Sequence, residues 1–247
     1  IMVITSFKTS SQAFDMPPEF LPAPALFNYH AVLTELNFTR YLYNSLVISL
    51  VTTAVSILVC IMSGYALARF NFRGAGLLSM GTVLIRMVPP VVVAVPMYVL
   101  WTKFGLTGGL SGLVLAYLGL TIPLNVWMLS IFIKEIPFEL EEAAAIDGCS
   151  YMRILWGIVV PLIKPGISVT SVFTFRTAWN EFLLAIILSN RSTRTLPAAV
   201  SLMISDLGIN WGQIMAMATI IAIPAFIVTF ACSKNLITGM TAGAVKG

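Results

Sequence analysis

Charged residues are scarce in this chain, and their scarcity excludes a protein with a fully water-exposed surface. Only 10% of the 247 residues are Asp, Glu, Lys or Arg, while 58% are hydrophobic. A soluble domain carries roughly 25% charged residues, so the few charged residues of this chain could not cover the surface of a soluble domain. The mean hydropathy is +0.94, and the length allows several membrane spans of about 20 apolar residues each. We therefore expect lipid to surround much of the chain.

Histidine and cysteine are also rare, which argues against several kinds of site. His30 is the sole histidine, and the three cysteines (Cys60, Cys149 and Cys232) share no spacing. This pattern predicts neither a disulfide framework nor a metal site. The sequence lacks a catalytic Ser/His/Asp or Cys/His set and a G-x-x-x-x-G-K-[ST] phosphate loop, so we predict no catalytic residue and no bound cofactor. The net charge of +4 is scattered, unlike the basic runs of nucleic-acid-binding proteins.

Apolar runs predict an all-α, polytopic membrane bundle of six spans, the first of them truncated. Residues 1–7 look like the tail of a span, and five complete runs follow, at about 41–67, 77–101, 110–133, 166–188 and 214–236. Prolines in the second run predict a kinked or locally unwound helix; they are Pro89, Pro90 and Pro96.

Two regions follow from these runs. Residues 1–40 are predicted to hold the end of the first span and a proline-rich extracytoplasmic loop with little helix. Residues 41–247 are predicted to form the membrane domain. Lys and Arg are only slightly more frequent on one side of the predicted spans, so charge alone does not decide the orientation.

The only strongly charged stretch covers residues 134–165, which we call the charged loop. Pro137 predicts the start of a helix, and Asp147-Gly148 predicts its end, because glycine tolerates the left-handed conformation that closes helices. The helix dipole favours acids in the first turns, which here carry Glu139, Glu141 and Glu142. Three alanines then give strong helix propensity and a thin surface that another protein can approach closely.

A second helix is predicted after this turn, from about residue 150 to residue 160. Arg153 lies opposite an apolar side in this amphipathic helix, and that side carries Ile154, Leu155 and Ile158. Pro161 and Pro165 mark the return to the membrane. We therefore predict a compact helix–turn–helix at the membrane surface. The alternative is a hairpin that merely connects two spans.

The charged loop resembles the EAA loop of ABC importer permeases, whose pattern runs E-A-A-x-x-D-G-A and, after a gap, I-x-L-P. Cys149 and Val160 depart from the pattern, both conservatively in size and polarity. The resemblance implies that the loop faces the cytoplasm, sits in a groove of an ATPase subunit and transmits closure of the ATPase dimer to the spans. The coupling residues that it implies are Glu141, Glu142, Ala143, Ala144, Asp147, Gly148, Ile158 and Pro161.

Shorter motifs resemble the carbohydrate, maltose-type branch of these permeases. Arg86-Met-Val-Pro-Pro90 and Pro96-Met-Tyr98 are similar to its third span, and Trp179-Asn180-Glu181-Phe182 to its W-N-[DE]-F segment. The tail Thr241–Gly247 and the segment Ser6-Phe7-Lys8 resemble the second, shorter permease of a pair. The resemblance implies a type I importer permease in the bacterial cytoplasmic (inner) membrane that carries sugars.

Polar residues within the apolar runs form a second candidate site, along the path of the solute. A charge inside a span normally faces a cavity or a partner, which applies to Arg86, Arg176 and Glu181. Asn180, four residues after Arg176, would share its helix face. Trp179 could stack on a sugar ring, and Asn125 could bind hydroxyls. The alternatives are an ion pair of Arg86 with Glu181, a packing tryptophan, and a helix-to-helix hydrogen bond of Asn125.

The resemblance also implies the partners. They are a second homologous permease subunit in a heterodimer, two ATPase subunits that bind ATP and Mg²⁺, an extracytoplasmic solute-binding protein, a sugar and the lipid bilayer, without nucleic acid. The chain would be a transporter subunit and not an enzyme. The alternatives are a permease for another solute (a polyamine, phosphate or a peptide), an integral membrane enzyme, and a self-contained secondary transporter.

Overall fold

The computed structural model describes residues 1–9, 12–13, 26–34, 37–205 and 208–244. The predicted all-α class is confirmed, because these residues are mostly helical and hold one pair of two-residue strands. The helices are α1 Met2–Ser6, α2 Phe27–Thr34, α3 Phe38–Arg69, α4 Ala75–Ile85, α5 Pro90–Lys103, α6 Leu110–Lys134, α7 Glu139–Ile146, α8 Tyr151–Ile154, α9 Val160–Leu162, α10 Lys164–Trp179, α11 Leu183–Leu188, α12 Leu196–Ser201 and α13 Trp211–Ala244. A π-helical segment, Leu155–Val159, joins α8 to α9, and the strands β1 Ile204–Ser205 and β2 Gly208–Ile209 pair antiparallel.

Three helical stretches are long and apolar enough to cross a membrane: α3, α6 and residues Trp211–Cys232 of α13. Two bent pairs pass the same test only together, α4 with α5 and the Tyr151–Leu162 helix with α10. The described residues therefore hold three to five candidate spans. Helices suit this role because lipid offers no partner to backbone N–H and C=O groups.

The second apolar run is divided into α4 and α5, whose axes differ by 100°. The break lies between Ile85 and Pro90. Proline lacks an N–H, and the residue before a proline avoids the helical conformation, so Pro89-Pro90 accounts for the position of the break. The kink predicted from these prolines is confirmed, whereas Pro96 lies inside α5 without ending it.

The run predicted as one span over residues 166–188 is interrupted, so that prediction is wrong. α10 starts earlier, at Lys164, and ends at Trp179, and α11 begins only at Leu183. No proline or glycine marks this break. Instead, the Glu181 carboxylate accepts hydrogen bonds from the backbone N–H groups of Leu184 at 3.1 Å and Ala185 at 3.0 Å. It therefore caps a new helix rather than allowing the first to continue.

The first forty residues contain a helix that the sequence did not predict. Asn28 of α2 is buried, and its Nδ2 donates to the carbonyls of Ser6 at 2.9 Å and Lys8 at 2.8 Å. These bonds hold α2 against the segment that follows α1. The proline-rich residues 14–25 and the last tail residues, 245–247, lie outside the described residues.

One of two compact units comprises Ile1–Ile48, Ala94–Leu113 and Trp179–Ile227. Asn44 Nδ2 donates to the carbonyls of Ser192 and Arg194, each at 3.0 Å, which fixes the loop after α11 to the start of α3. The largest side chains fully buried in this unit are Val32, Phe38, Ile48, Leu113, Trp179, Leu184, Leu188, Leu196 and Met217.

The other unit comprises Ser49–Val93, Val114–Ala178 and Val228–Gly247. Gly64 lets α3 approach α6 closely, because a Cβ there would lie only 3.2 Å from the Ser130 nitrogen. The apolar core of this unit combines α3, α6 and the charged loop: Cys60, Ile61, Tyr65, Val126, Leu129, Ile133, Ile136, Ala144, Ile154, Leu155, Val159 and Ile163. The charged loop is therefore packed into the same core as two of the spans.

Candidate functional site

The first half of the charged loop folds as predicted, into a helix closed by a tight turn. Gly148 has a φ of +80°. Its N–H donates to the Ala145 carbonyl, and the Cys149 N–H donates to the Ala144 carbonyl, both at 3.0 Å. This pair of bonds is a Schellman motif, whose left-handed residue is favoured to be glycine. The first turn of α7 carries the three predicted acids, Glu139, Glu141 and Glu142.

The second half forms a helical stretch from Tyr151 to Leu162 whose middle is the π-helical segment. A π turn contains one residue more than an α turn and occurs frequently at functional sites. Arg153 is exposed, while the predicted apolar side faces the core: Ile154 and Leu155 are buried and Ile158 is half-buried. The predicted amphipathic helix and the helix–turn–helix are thus confirmed.

A buried ion pair fixes α7 to the last turn of α3. Arg69 Nε donates to Glu141 Oε1 at 2.7 Å, and these side chains are only 9% and 4% exposed. Tyr65 Oη donates to Glu141 Oε2 at 2.8 Å, and Arg69 Nη2 donates to the Ile136 carbonyl at 2.9 Å. Both carboxylate oxygens therefore have partners within the chain, which is the condition under which a charge can be buried.

Aromatic rings surround this ion pair. The Arg69 guanidinium carbon lies 5.6 Å from the centre of the Phe138 ring, within the range of a cation–π interaction. Phe70 meets Tyr65 and Tyr151 edge-on, with ring centres 6.0 and 5.5 Å apart. Both helices of the charged loop consequently contact the end of α3.

The outward side of the charged loop carries most of the motif residues. Glu142, Ala143, Asp147, Gly148 and Pro161 are exposed, Ile158 is half-buried, and Glu141 and Ala144 face the core. Ile146, which lies between the E-A-A and D-G residues of the motif, is 87% exposed. Ile146 and the neighbouring Asp147 are therefore available for contact with another protein. A cavity of about 230 Å³ beside the ion pair is lined by Tyr65, Arg69, Phe70, Phe138, Glu141, Glu142, Ala145, Tyr151 and Ile154.

Sequence reasoning missed Tyr65 and Arg69 as parts of this site. Arg69 was visible as the cation that closes an apolar run, and an acid-rich turn was visible in the charged loop. However, 72 residues separate Arg69 from Glu141, and only the packing of α7 decides which glutamate faces inward.

Asn125, a predicted solute-pathway residue, lies buried between helices. Its Nδ2 donates to Ser56 Oγ at 2.8 Å and to Thr174 Oγ1 at 2.7 Å, joining α6 to α3 and α10. Both amide hydrogens are thus used in helix-to-helix bonds, which is the alternative that the sequence left open.

Trp179 and Glu181 are also engaged within the chain. Trp179 is 1% exposed, and its Nε1 donates to the Ile221 carbonyl at 3.1 Å. Its ring therefore has no open face in this structure for a sugar. Glu181 is half-buried and caps α11 through both carboxylate oxygens.

The exposed members of the predicted pathway set are Arg86, Arg176 and Asn180. Arg86 lies at the break after α4, and its Nη1 is 3.4 Å from the Leu120 carbonyl. Arg176 lies in the last turn of α10, while Asn180 lies beyond its end at Trp179. The prediction that Arg176 and Asn180 share a helix face is therefore wrong, because the helix stops between them.

Metal ligands do not cluster in the part of the chain that the structure describes: no three His, Cys, Asp or Glu side chains there are placed to hold one ion. The three cysteines are free thiols.

Two solved structures of ABC transporters contain a chain with this fold. A bacterial ABC transporter that imports the acidic polysaccharide alginate superposes with a TM-score of 0.80 at 20% identity, over 94% of this chain and 88% of that one. The MetNI methionine ABC transporter superposes with a TM-score of 0.67 at 18% identity, over 81% and 94%. The fold is therefore one that occurs in ABC transporters.

Proteins with similar sequences are permeases of transport systems. The sulfoquinovosyl glycerol transport system permease SmoH of Agrobacterium fabrum is 33% identical over 100% of this chain and 87% of its own length. The diacetylchitobiose uptake system permease DasC of Streptomyces coelicolor is 32% identical over 100% and 90%. The trehalose/maltose transport system permease MalG of Thermococcus litoralis is 32% identical over 95% and 88%.

Residues 56–241 match the family described as binding-protein-dependent transport system inner membrane component, and the chain belongs to this family. It is a permease subunit of an ABC transporter of the inner membrane. The class inferred from the charged loop is thereby confirmed.

Proposed function

We propose that the chain is the permease subunit of an ATP-driven sugar importer, coupled through its charged loop to separate ATPase subunits. The observation that carries the proposal is the two-sided geometry of that loop. Glu141 is paired inside the chain, while Glu142, Asp147 and the 87% exposed Ile146 remain open to a partner. An internal ion pair beside exposed acids suits a loop that is anchored to the spans on one side and bound by a partner on the other.

The sugar assignment rests on the relatives. The three reported above are named for sulfoquinovosyl glycerol, diacetylchitobiose and trehalose or maltose, all of them sugars or glycosides. The Trp179-Asn180-Glu181 segment and the tail support the same branch. A permease for polyamines, phosphate or peptides is the alternative solute class.

In the proposed cycle, a solute-binding protein delivers its ligand on the extracytoplasmic side. Two ATPase subunits, which bind ATP and Mg²⁺, close on each other and displace the charged loop seated in their groove. Because the loop shares one core with α3 and α6, its displacement moves those spans and opens the pathway outward. Hydrolysis then restores the inward-facing state, and a second homologous permease completes the pathway.

The solute would meet the polar groups that the fold leaves open. Arg86, Arg176 and Asn180 are exposed, and their donors suit sugar hydroxyls. Asn125, Trp179 and Glu181 would not contact the solute. They would hold the helices in place through the hydrogen bonds described above.

The solute class is tested on the complete complex in proteoliposomes, with binding protein supplied outside and ATP inside. We expect maltose, trehalose, diacetylchitobiose or sulfoquinovosyl glycerol to raise the rate of ATP hydrolysis and to accumulate. Stimulation by spermidine, phosphate or a peptide, without stimulation by any sugar, would reject the sugar assignment.

The docking role is tested with Glu142→Lys, which reverses an exposed charge and leaves the Arg69–Glu141 pair intact. We expect less ATPase subunit to co-purify with this variant and uptake to be lost, at an unchanged level of the permease in the membrane. Glu135→Lys reverses a neighbouring exposed charge outside the motif and serves as the control. Normal uptake by Glu142→Lys would contradict the proposal.

A further inference from the structure

The ion pair between Arg69 and Glu141 lies where the charged loop joins a membrane span. Arg69 is the last residue of the 32-residue helix α3, and Glu141 is in the first turn of α7. A carboxylate that served only docking would face outward, as Glu142 does. Glu141 instead faces the chain, with Arg69 and Tyr65 on separate oxygens.

We propose that Tyr65, Arg69 and Glu141 form a rigid joint that transmits displacement of α7 to α3, so that Arg69 and Glu141 are positioning residues for energy coupling. This inference rests on the proposed function and concerns a contact within the chain, separate from the surface that docks the ATPase.

Three features favour a stiff joint over a sliding contact. Glu141 is held at two oxygens from two different turns of α3, which fixes its orientation as well as its distance. Arg69 is held in turn by the Ile136 carbonyl and the Phe138 ring, on the chain between α6 and α7. The pair is nearly excluded from water, so solvent cannot readily replace one partner when the loop is pulled.

The test measures solute transported per ATP hydrolysed in the complete complex, because a purely structural role would not change that ratio. We expect Arg69→Gln to lower it severalfold, because a neutral side chain leaves the buried Glu141 carboxylate without its charged partner. Arg69→Lys keeps the charge beside Glu141 but loses the forked geometry, so its ratio should lie between those of Arg69→Gln and the unchanged chain.

Tyr65→Phe provides the second variant, should Arg69→Gln fail to assemble. It removes one hydrogen bond to Glu141 and keeps the ion pair and the ring packing. We expect a smaller fall in the ratio, together with a lower midpoint of thermal unfolding because Glu141 Oε2 loses its donor. A lowered midpoint with a normal transport-to-ATP ratio in these variants would assign the cluster to stability alone and overturn the proposal.

Glu142→Gln is the matched control, one residue away and exposed. It should weaken co-purification of the ATPase subunits, whereas Arg69→Gln should leave co-purification intact. If the unchanged chain itself binds no ATPase subunit, the proposed function fails. If it binds and transports while all Arg69 and Tyr65 variants keep the normal ratio, only the joint is rejected.

Discussion

Adjacent residues of α7 meet very different surroundings. Glu141 is enclosed by Tyr65 and Arg69, whereas Glu142 is exposed. Successive helical residues point about 100° apart, so neighbouring acids on a helix that packs on one side need not share an environment. The two glutamates belong to the same motif by sequence but meet different partners.

Gly148 offers a test of the turn at the scale of one residue. Gly148→Ala should destabilise the turn by about 1–2 kcal/mol, because an L-residue is strained at this φ, although a Cβ would meet nothing within 4 Å. Gly148→Asn should cost less, since asparagine visits the left-handed region.

The measurement for the turn is sugar-stimulated ATP hydrolysis of the assembled complex, which requires a correctly shaped loop. Gly157→Ala is the control, because that glycine also has open space but lacks a positive φ. Equal activity of Gly148→Ala and Gly157→Ala would show that the turn geometry does not matter.

Asn125 offers a test of helix-to-helix bonding. Asn125→Leu removes both donated bonds, and at about 0.6 kcal/mol for an average bond between membrane helices, the expected loss is near 1 kcal/mol. Thermal unfolding in detergent measures it. Thr121→Val, in the same helix, removes a hydroxyl that donates to the Tyr117 carbonyl of α6 itself and should change stability less. If Asn125→Leu unfolded no earlier than Thr121→Val, the bonds would not hold the helices.

At the scale of elements, the sequence predicts what local signals determine. Pro137, the first-turn acids and Asp147-Gly148 located α7, and Pro89-Pro90 located the break before α5. The break after Trp179 carries no proline or glycine, and a glutamate in an apolar run does not by itself indicate a cap such as the one that Glu181 places on α11. The partners of Arg69 and Asn125 were hidden because they lie far along the chain, on other helices.

The cap on α11 can be tested by Glu181→Ala. Loss of a side-chain cap costs about 0.5–2 kcal/mol, so we expect a lower midpoint of thermal unfolding and faster hydrogen exchange at Leu184 and Ala185. Glu181→Gln keeps an acceptor and should retain part of the protection. Unchanged exchange in Glu181→Ala would show that α11 forms without this cap.

At the scale of the whole molecule, much apolar surface remains uncovered. Most side chains of α4 and of the first half of α5 are exposed, with Leu77 at 76% and Val95 at 68%. Such a surface is expected to meet lipid or another membrane subunit. Arg86 lies on the same stretch, and a cation there favours contact with protein or with a polar pathway over contact with lipid alone.

The orientation of the chain can be measured at Ile146. In a variant whose native cysteines are replaced by alanine, Ile146→Cys should react with a membrane-impermeant maleimide only from the cytoplasmic side. Added ATPase subunits should protect it, because the side chain lies on the proposed docking surface. Labelling from the extracytoplasmic side would reverse the predicted topology, and labelling unaffected by the ATPase subunits would move the docking surface elsewhere.

The π-helical segment makes the second half of the charged loop tolerant of a change in length. Its wider turn takes up one residue, and deleting one residue between Leu155 and Val159 would return the stretch to α-helical geometry. The residues beyond it, including the buried Ile163, would then keep nearly the same orientation, whereas a deletion within a regular α-helix turns everything beyond it by about 100°. A single omission should therefore disturb the protein less in this stretch than in the middle of α3 or α6.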